Sequence, residues 1–253
     1  MFLSEPDRSD FDWNFRFWGC DVRVHPFFWL VTFFMGRSQD PMSVLVWIAA
    51  VFLSILIHEI GHVWAMRRCG FDGDVVLYGF GGLAIPRRGF ARSARNQVLI
   101  SAAGPGAGFV LAFSVCALVV AIGGQVVYFP AWGVIPNWYA FVAHGDPETA
   151  TVAARYLGLF VNDILWCSIF WGFMNLLPVL PLDGGHISEA LLVGRIGEQG
   201  RVRAYQVSFV MAVVVTLVAA IEGSTYLAFF FASMAFGSFQ YLQNSTTRWR
   251  RYD

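Results

Sequence analysis

From Met42 to Met66 the only ionisable side chains are His58, Glu59 and His62, set in an otherwise apolar run. At about 1.5 Å of rise per residue, such a run is long enough to cross a hydrocarbon core of about 30 Å as a single helix. Asp40-Pro41 supplies an N-cap and a first helical residue ahead of it, and Arg67 and Arg68 stop it. Three ionisable groups at bilayer depth are expensive, so a chain that keeps them has a chemical use for them. The plain alternative is a buried helix whose histidines satisfy one another.

The spacing favours chemistry. Residues four apart on a helix lie one above the other, so His58 and His62 can offer two imidazoles to one metal ion. Glu59, beside the first of them, is placed to take a proton from a water that the metal activates. HEIGH is thus an instance of the zinc-hydrolase pattern H-E-x-x-H. His62 lies about 8 Å of helix rise from Arg67. The metal would therefore sit inside the membrane, nearer the arginine side, where it favours a substrate that is itself in the bilayer.

Composition supports a lipid solvent for the rest of the chain. Of 253 residues 57% are hydrophobic and 13% charged, and the mean hydropathy is +0.57, beyond what a soluble domain needs. The net charge is zero and no basic tract points to nucleic acid. Cys20, Cys69, Cys116 and Cys167 lack C-x-x-C spacing and read as packing thiols. The acidic start, MFLSEPDRSDFDW, lacks the basic-then-apolar order of a cleavable leader. Residues 11–24 alternate with a period of two, which suggests a short strand or interfacial segment. The run FFWLVTFFMG after His25-Pro26 amounts to roughly 20 Å of helix with its flanks, so it crosses a thinned bilayer or is re-entrant; crossing is the preferred expectation. Glycines and β-formers between Gly73 and Gly89 predict a hairpin or edge strand, either a plain connector or a binding edge for substrate at Val76, Tyr78, Gly79, Gly81 and Gly82. The span from Gln97 to about Gly124 carries Gly104 and Gly108, a small-residue face that lets the HEIGH helix approach. Tyr128, Trp132, Trp138 and Tyr139 suggest an aromatic belt, and Asp146-Pro147-Glu148 a helix start. Further spans are expected from there to Leu177, over about Tyr205–Ile221, and over Ser224–Tyr241.

A zinc site with two imidazoles wants a third protein ligand and an open position. His25 and His144 sit at helix or loop ends, Asp163 lies towards the opposite side, and Glu222 is in a loop. That leaves Asn175 to His186, NLLPVLPLDGGH, where Pro178 and Pro181 break the helix and place Asp183 on irregular backbone at about the depth of HEIGH. Backbone of that kind at membrane depth is tolerated where it is buried in protein or lines a cavity. Asp183 suits a carboxylate ligand; the competing reading is an Asp-Gly turn leaving the membrane.

HEIGH on an early span, a Gly-rich GFGG loop, the AGPGAG start of the next span, and N-x-x-P-x-x-P-L-D-G together resemble the site-2 protease family of intramembrane zinc metalloproteases, over about residues 25–190. Counted along the chain, the apolar spans give six crossings if the short first segment crosses, so the expected fold is an all-α polytopic membrane protein with a short cytoplasmic-side β-hairpin or re-entrant loop; the resemblance implies a three-helix catalytic core. The spans predict one membrane-embedded domain over 1–253, with a core of about 41–190 and accessory helices of about 24–36 and 203–243; the PDZ or nucleotide-sensing domain that some family members carry is not expected to fit in this chain. The resemblance further implies one Zn2+ on His58, His62 and Asp183, Glu59 as base, and Asn175 near the scissile carbonyl.

The expected activity is hydrolysis of a peptide bond within or near a transmembrane helix of a single-span substrate, whose unwound backbone would pair with the 75–84 edge. Arginine clusters at 67–95, 195–203 and 248–251 alternate with arginine-free connections. By the positive-inside tendency the active site then lies near the cytoplasmic face, as expected for a bacterial inner-membrane protein with lipid as its other partner. A zinc transporter or a non-catalytic metal-binding homologue would use the same ligands. Oligomeric state is not legible.

Overall fold

The alternation over 11–24 folds as a hairpin of β1 (Trp13–Phe17) and β2 (Cys20–Val24), paired in register from Trp13↔Val24 to Phe17↔Cys20. Its two-residue turn has positive φ at both Trp18 (47°) and Gly19 (77°), the mirror-image geometry that matches strand twist. Trp18 is an unusual occupant of that position, and Arg67 holds it there. The guanidinium donates to the Trp18 carbonyl at 2.7 Å and lies over the indole ring. The computed structural model from which these elements are taken describes residues 6–36, 38–79, 81–87, 93–129, 137–141 and 151–249.

Two helices follow, each begun by Pro at its first position: α1 (Pro26–Met35) and α2 (Pro41–Arg68). His25 caps α1, accepting from the Phe27 N–H at 3.2 Å. Asp40 caps α2, accepting from the Ser43 N–H at 3.1 Å, which satisfies one of the first-turn donors that the helix itself leaves unpaired. After α2 come β3 (Gly73–Tyr78) and β4 (Gly81–Pro86), then α3 (Ala94–Ala121), a second hairpin of β5 (Gln125–Phe129) and β6 (Asn137–Phe141), and α4 (Val152–Asn175). The chain ends with α5 (Asp183–Ile196), α6 (Glu198–Ile221) and α7 (Thr225–Trp249).

The expected all-α fold with one short hairpin needs correction. β1 to β4 form a single four-stranded sheet in the order β1-β2-β3-β4. The join is a parallel pairing of Val22–Val24 with Val75–Leu77, which brings together segments on either side of α1 and α2. Alternation on β2 and β3 makes the pairing productive: Val22, Val24, Val75 and Leu77 turn inward and are at most 1% exposed. They share a core with Phe28 of α1 and Val51, Ile55, Leu56, Ile60 and Val63 of α2. Trp29 stacks on Phe52 at 5.5 Å, with Trp13 6.1 Å from Trp29.

Four helices, α2, α3, α4 and α6, are long and apolar enough to cross a membrane among the described residues; α1, at ten residues, is shorter. Ten residues give about 15 Å of rise, half a hydrocarbon core. The helix α5 occupies a stretch for which no helix was expected. The residues Trp132, His144, Asp146, Pro147, Glu148, Arg88, Gly89 and Arg92 lie outside the described residues, as do the side chains of Tyr128, Trp138 and Tyr139, so the aromatic belt does too.

The chain falls into two compact units, one of residues 4–90 and 103–173 and the other of residues 1–3, 91–102 and 174–253. The first holds the sheet, α1, α2 and most of α3 and α4. In the second, α6 packs along α7, with Tyr205 stacked on Tyr241 at 3.6 Å. Its buried face is the small-residue series Gly200, Ala204, Ser208, Ala212 and Ala219, which permits close helix approach.

At the arginine end of α2 a charged network ties helix and sheet. Arg67 reaches Asp72 at 2.9 Å, while Arg87 reaches Asp21 at 3.0 Å and Asp72 at 3.1 Å and also bonds Asp74. The Arg67 hydrogen bond, above all, holds the Asp72 carboxyl below its ordinary value. A carboxyl whose folded pKa is depressed contributes stability above its unfolded value, about 3.9, and loses it as pH falls through the folded value. Thermal melting of the detergent-solubilised protein should therefore be level from pH 8 to about 5 and decline below about 4. Arg67→Gln should lower the plateau and flatten that decline; an unchanged acid limb would show that the Arg67–Asp72 pair contributes nothing.

Candidate metal centre

The three ionisable residues of α2 are buried, with His58 3%, Glu59 4% and His62 7% exposed. One helical turn places the His58 and His62 rings 4.9 Å apart with their Nε2 atoms separated by 3.2 Å. Two nitrogens at 2.0–2.1 Å from a tetrahedral zinc would stand about 3.3 Å apart, so the pair has the spacing the ion requires.

Glycines make room for this arrangement. A Cβ on Gly104 of α3 would run into Nε2 of His62 and stand 2.8 Å from Nε2 of His58. Reciprocally, a Cβ on Gly61 of α2 would strike the Ala103 carbonyl oxygen and sit 2.7 Å from Ala107. The two helices thus meet backbone to backbone at the histidines, with the buried Pro105 beside the contact. The sequence reading assigned Gly104 to packing and gave it no chemistry. The signal was present in the glycine of HEIGH, Gly61, which removes a side chain on the histidine-bearing turn. Gly108, the other member of the face, instead faces α4, where a Cβ would stand 3.3 Å from the Ser168 carbonyl oxygen.

Glu59 faces the sheet. A Cβ on Gly82 would stand 2.5 Å from Oε1 of Glu59, so β4 passes directly over this carboxyl group. Burial, then the nearby Glu59 charge, pushes the Tyr78 hydroxyl up to about 12, keeping it a neutral hydrogen-bond donor. The expected edge over 75–84 narrows. Val76 and Tyr78 belong to β3, whose residues 75–77 are paired with β2 on one side and β4 on the other. Gly79 packs against Phe27 and Val31 of α1. Gly81 and Gly82 open β4, and among the described residues nothing pairs with its far side. Trp171 of α4 closes on Gly81, with its ring 2.8 Å from where a Cβ would be.

Asp183 is the first residue of α5 and is half-buried, while Asn175 ends α4 and is 7% exposed. Ligand atoms of His58, His62 and Asp183 lie within 4.8 Å of one another, forming a candidate metal-binding group. Two buried imidazoles and a carboxylate, with glycine backbone lining one side, fit zinc in donor type and in room.

The sequence model of peptidase family M50 matches residues 46–219. Over 192 residues, 73% of this chain and 42% of the relative, the sequence is 30% identical to a Mycobacterium tuberculosis protein that carries the name zinc metalloprotease Rip3. It is 24% identical over 191 residues, 72% of this chain and 46% of the other, to zinc metalloprotease MJ0392 of Methanocaldococcus jannaschii. The matches thus span less than half the length of these curated relatives. The solved structure of the site-2 protease from Methanocaldococcus jannaschii superposes with a TM-score of 0.56 at 19% identity, covering 92% of this chain and 95% of that one, which establishes a shared fold.

The glycine contacts give a sharp contrast within one helix. Gly104→Ala should displace the imidazoles and leave the purified protein with well under half of the parent's bound zinc by elemental analysis. Gly106→Ala, where a Cβ meets nothing within 4 Å, should keep the parent's zinc and gain some helix stability, about 0.5–1 kcal/mol. Equal zinc in the two variants would mean that the backbone approach at Gly104 is not needed to hold the histidines.

Proposed function

The chain belongs to peptidase family M50, the site-2 protease type of membrane zinc metalloprotease, and from that premise we propose that it hydrolyses a peptide bond within or near a transmembrane helix of a single-span membrane protein. The observation that carries the reading is the passage of β4, whose outer edge pairs with no strand among the described residues, over the buried Glu59. A protease for helices needs both an acid–base group and something to replace the hydrogen bonds lost when substrate unwinds. Here the two adjoin.

His58, His62 and Asp183 would hold the zinc. When bound there, zinc supplies a Lewis acid that polarises a carbonyl and makes water acidic near neutrality. Glu59 takes the proton of the attacking water and delivers it to the leaving amine as the C–N bond breaks. Its burial beside Gly82 keeps bulk water away from the proton in transit. Asn175, by the family pattern, donates from its side-chain amide to the oxyanion that develops on the scissile carbonyl. The substrate segment adds to β4 at Gly81 and Gly82 as an extended strand, with Val76 and Tyr78 of β3 behind it and Gly79 fixing the strand to α1.

The core of about 41–190 carries this chemistry in a single membrane-embedded domain. We place α1, across a locally thinned bilayer, and α7 in the membrane with the four longer helices, giving the six crossings that the apolar spans of the sequence predict. The arginines near the end of α2 and between α5 and α6, Arg67, Arg68, Arg87, Arg195, Arg201 and Arg203, put the site near the cytoplasmic face of a bacterial inner membrane.

Two measurements test this. Cleavage of a reconstituted single-span substrate should fall about 10³-fold in Glu59→Gln, within the range lost with a general base; equal cleavage by parent and variant would make the protease reading wrong. Consecutive N–H groups of a strand point to opposite edges. Of Leu83→Pro and Ala84→Pro, one therefore removes a donor to β3 and the other only a donor on the open edge. The latter should keep the parent's melting temperature and lose most cleavage. If it cleaves as the parent does, strand addition is not how substrate binds.

A further inference from the structure

The helices α6 and α7 lie beyond the family's motif residues, yet they touch the segment that presents Asp183. Between α4 and α5 the backbone is irregular, and its prolines, Pro178 and Pro181, bring no N–H. Local turns satisfy three of the remaining donors: Leu177 to Met174, Val179 to Leu177 at 2.7 Å, and Leu182 to Val179 at 2.7 Å. Leu180 has no such local turn. Its N–H, on a residue 6% exposed, donates to Oγ of Ser208 on α6 at 2.8 Å. Ser208 is fully buried, and its hydroxyl is in turn 2.8 Å from Ser238 of α7, itself 2% exposed. A buried N–H in an apolar setting must find a partner, and this one finds it on a different helix.

The anchored segment is also what α5 rests on. A Cβ on Gly184 would run into the Leu176 carbonyl, and one on Gly185 would stand 2.6 Å from the Leu180 nitrogen. The first turn of α5 is thus pressed onto residues 176–180 at the two positions that follow Asp183. Any shift of Leu180 moves that turn. The contacts run without a gap from Ser238 through Ser208 and the Leu180 amide to the backbone carrying Asp183.

We propose that Ser208, backed by Ser238, is a positioning residue for the metal site: through the Leu180 N–H it fixes the backbone that presents Asp183. The α6–α7 pair is then part of the scaffold of the centre. This rests on Asp183 being a zinc ligand. Residues that orient a ligand from behind generally change metal affinity by about 10- to 100-fold when removed.

The test is zinc affinity of the full chain in detergent, by competition with a chelator, read beside the melting temperature of the metal-free protein. Ser208→Ala should weaken zinc binding about 10-fold or more, Ser238→Ala by less, and Ser208→Thr, which keeps the hydroxyl, should recover most of the loss. Ala212→Gly, on the same buried face of α6 but without a bond to Leu180, should lower the metal-free melting temperature at unchanged zinc affinity. Parent affinity in Ser208→Ala, or an equal zinc loss in Ala212→Gly, would overturn the proposal. Should Ser208→Ala not fold, parent affinity in Ser238→Ala together with weakened binding in Ser208→Thr would overturn it as well. Asp183→Asn separates the two failures. If it binds zinc as the parent does, the ligand assignment is wrong; if it is weakened while Ser208→Ala is not, only the positioning role is.

Discussion

Everything in this protein follows from placing two imidazoles and a carboxyl group on consecutive turns of a helix that is otherwise apolar. Burying such groups is unfavourable unless charge and hydrogen-bonding capacity are met locally. The surroundings of α2 answer that demand in a particular way. On one side α3 presents bare backbone at Gly104, so the imidazoles lose no room to a side chain. On the other side the sheet presents Gly82 to Glu59. Small residues at both contacts let rigid elements come close enough to fix three rotamers, which a loop or a larger side chain would not do.

The sheet is the feature that separates this architecture from a plain helical bundle. A strand edge at membrane depth is normally unfavourable because its N–H and C=O groups lack partners. The hairpin β1–β2 covers one side of β3, so among the described residues the sheet ends in β1 on one side and β4 on the other, and of these two edges it is β4 that lies over Glu59. Under the proposed function, an edge in that place is what an extended substrate chain would pair with. Its two ends are held, by the Arg67–Asp72–Arg87 network at the tip and by Trp171 over Gly81 at the base.

The sequence carried the local half of this plan. His58, Glu59 and His62 were legible from a four-residue period, and Asp40-Pro41 marked the start of α2 because capping is decided within one turn. The hairpin of β3 and β4 was legible from glycine and β-branched residues in a short stretch. What escaped was whatever depends on partners distant in the chain. The parallel pairing of Val22–Val24 with Val75–Leu77 has no signature in either segment alone. Gly104 resembled an ordinary small-residue face, since nothing in its neighbours reveals that histidines stand opposite. Ser208 and Ser238 look like two of many serines in apolar helices until the Leu180 amide is seen to need one of them.

The parallel join between β2 and β3 also orders events during synthesis. Residues 20–24 leave the ribosome before α1 and α2, yet their partner strand is made only after both helices. Until then β2 is a borrowed edge, held by β1 alone, in a chain whose first long span is already entering lipid. The nascent protein therefore completes its sheet by a return closure across some fifty residues, and β4, the strand over Glu59, is the last of the four to be made.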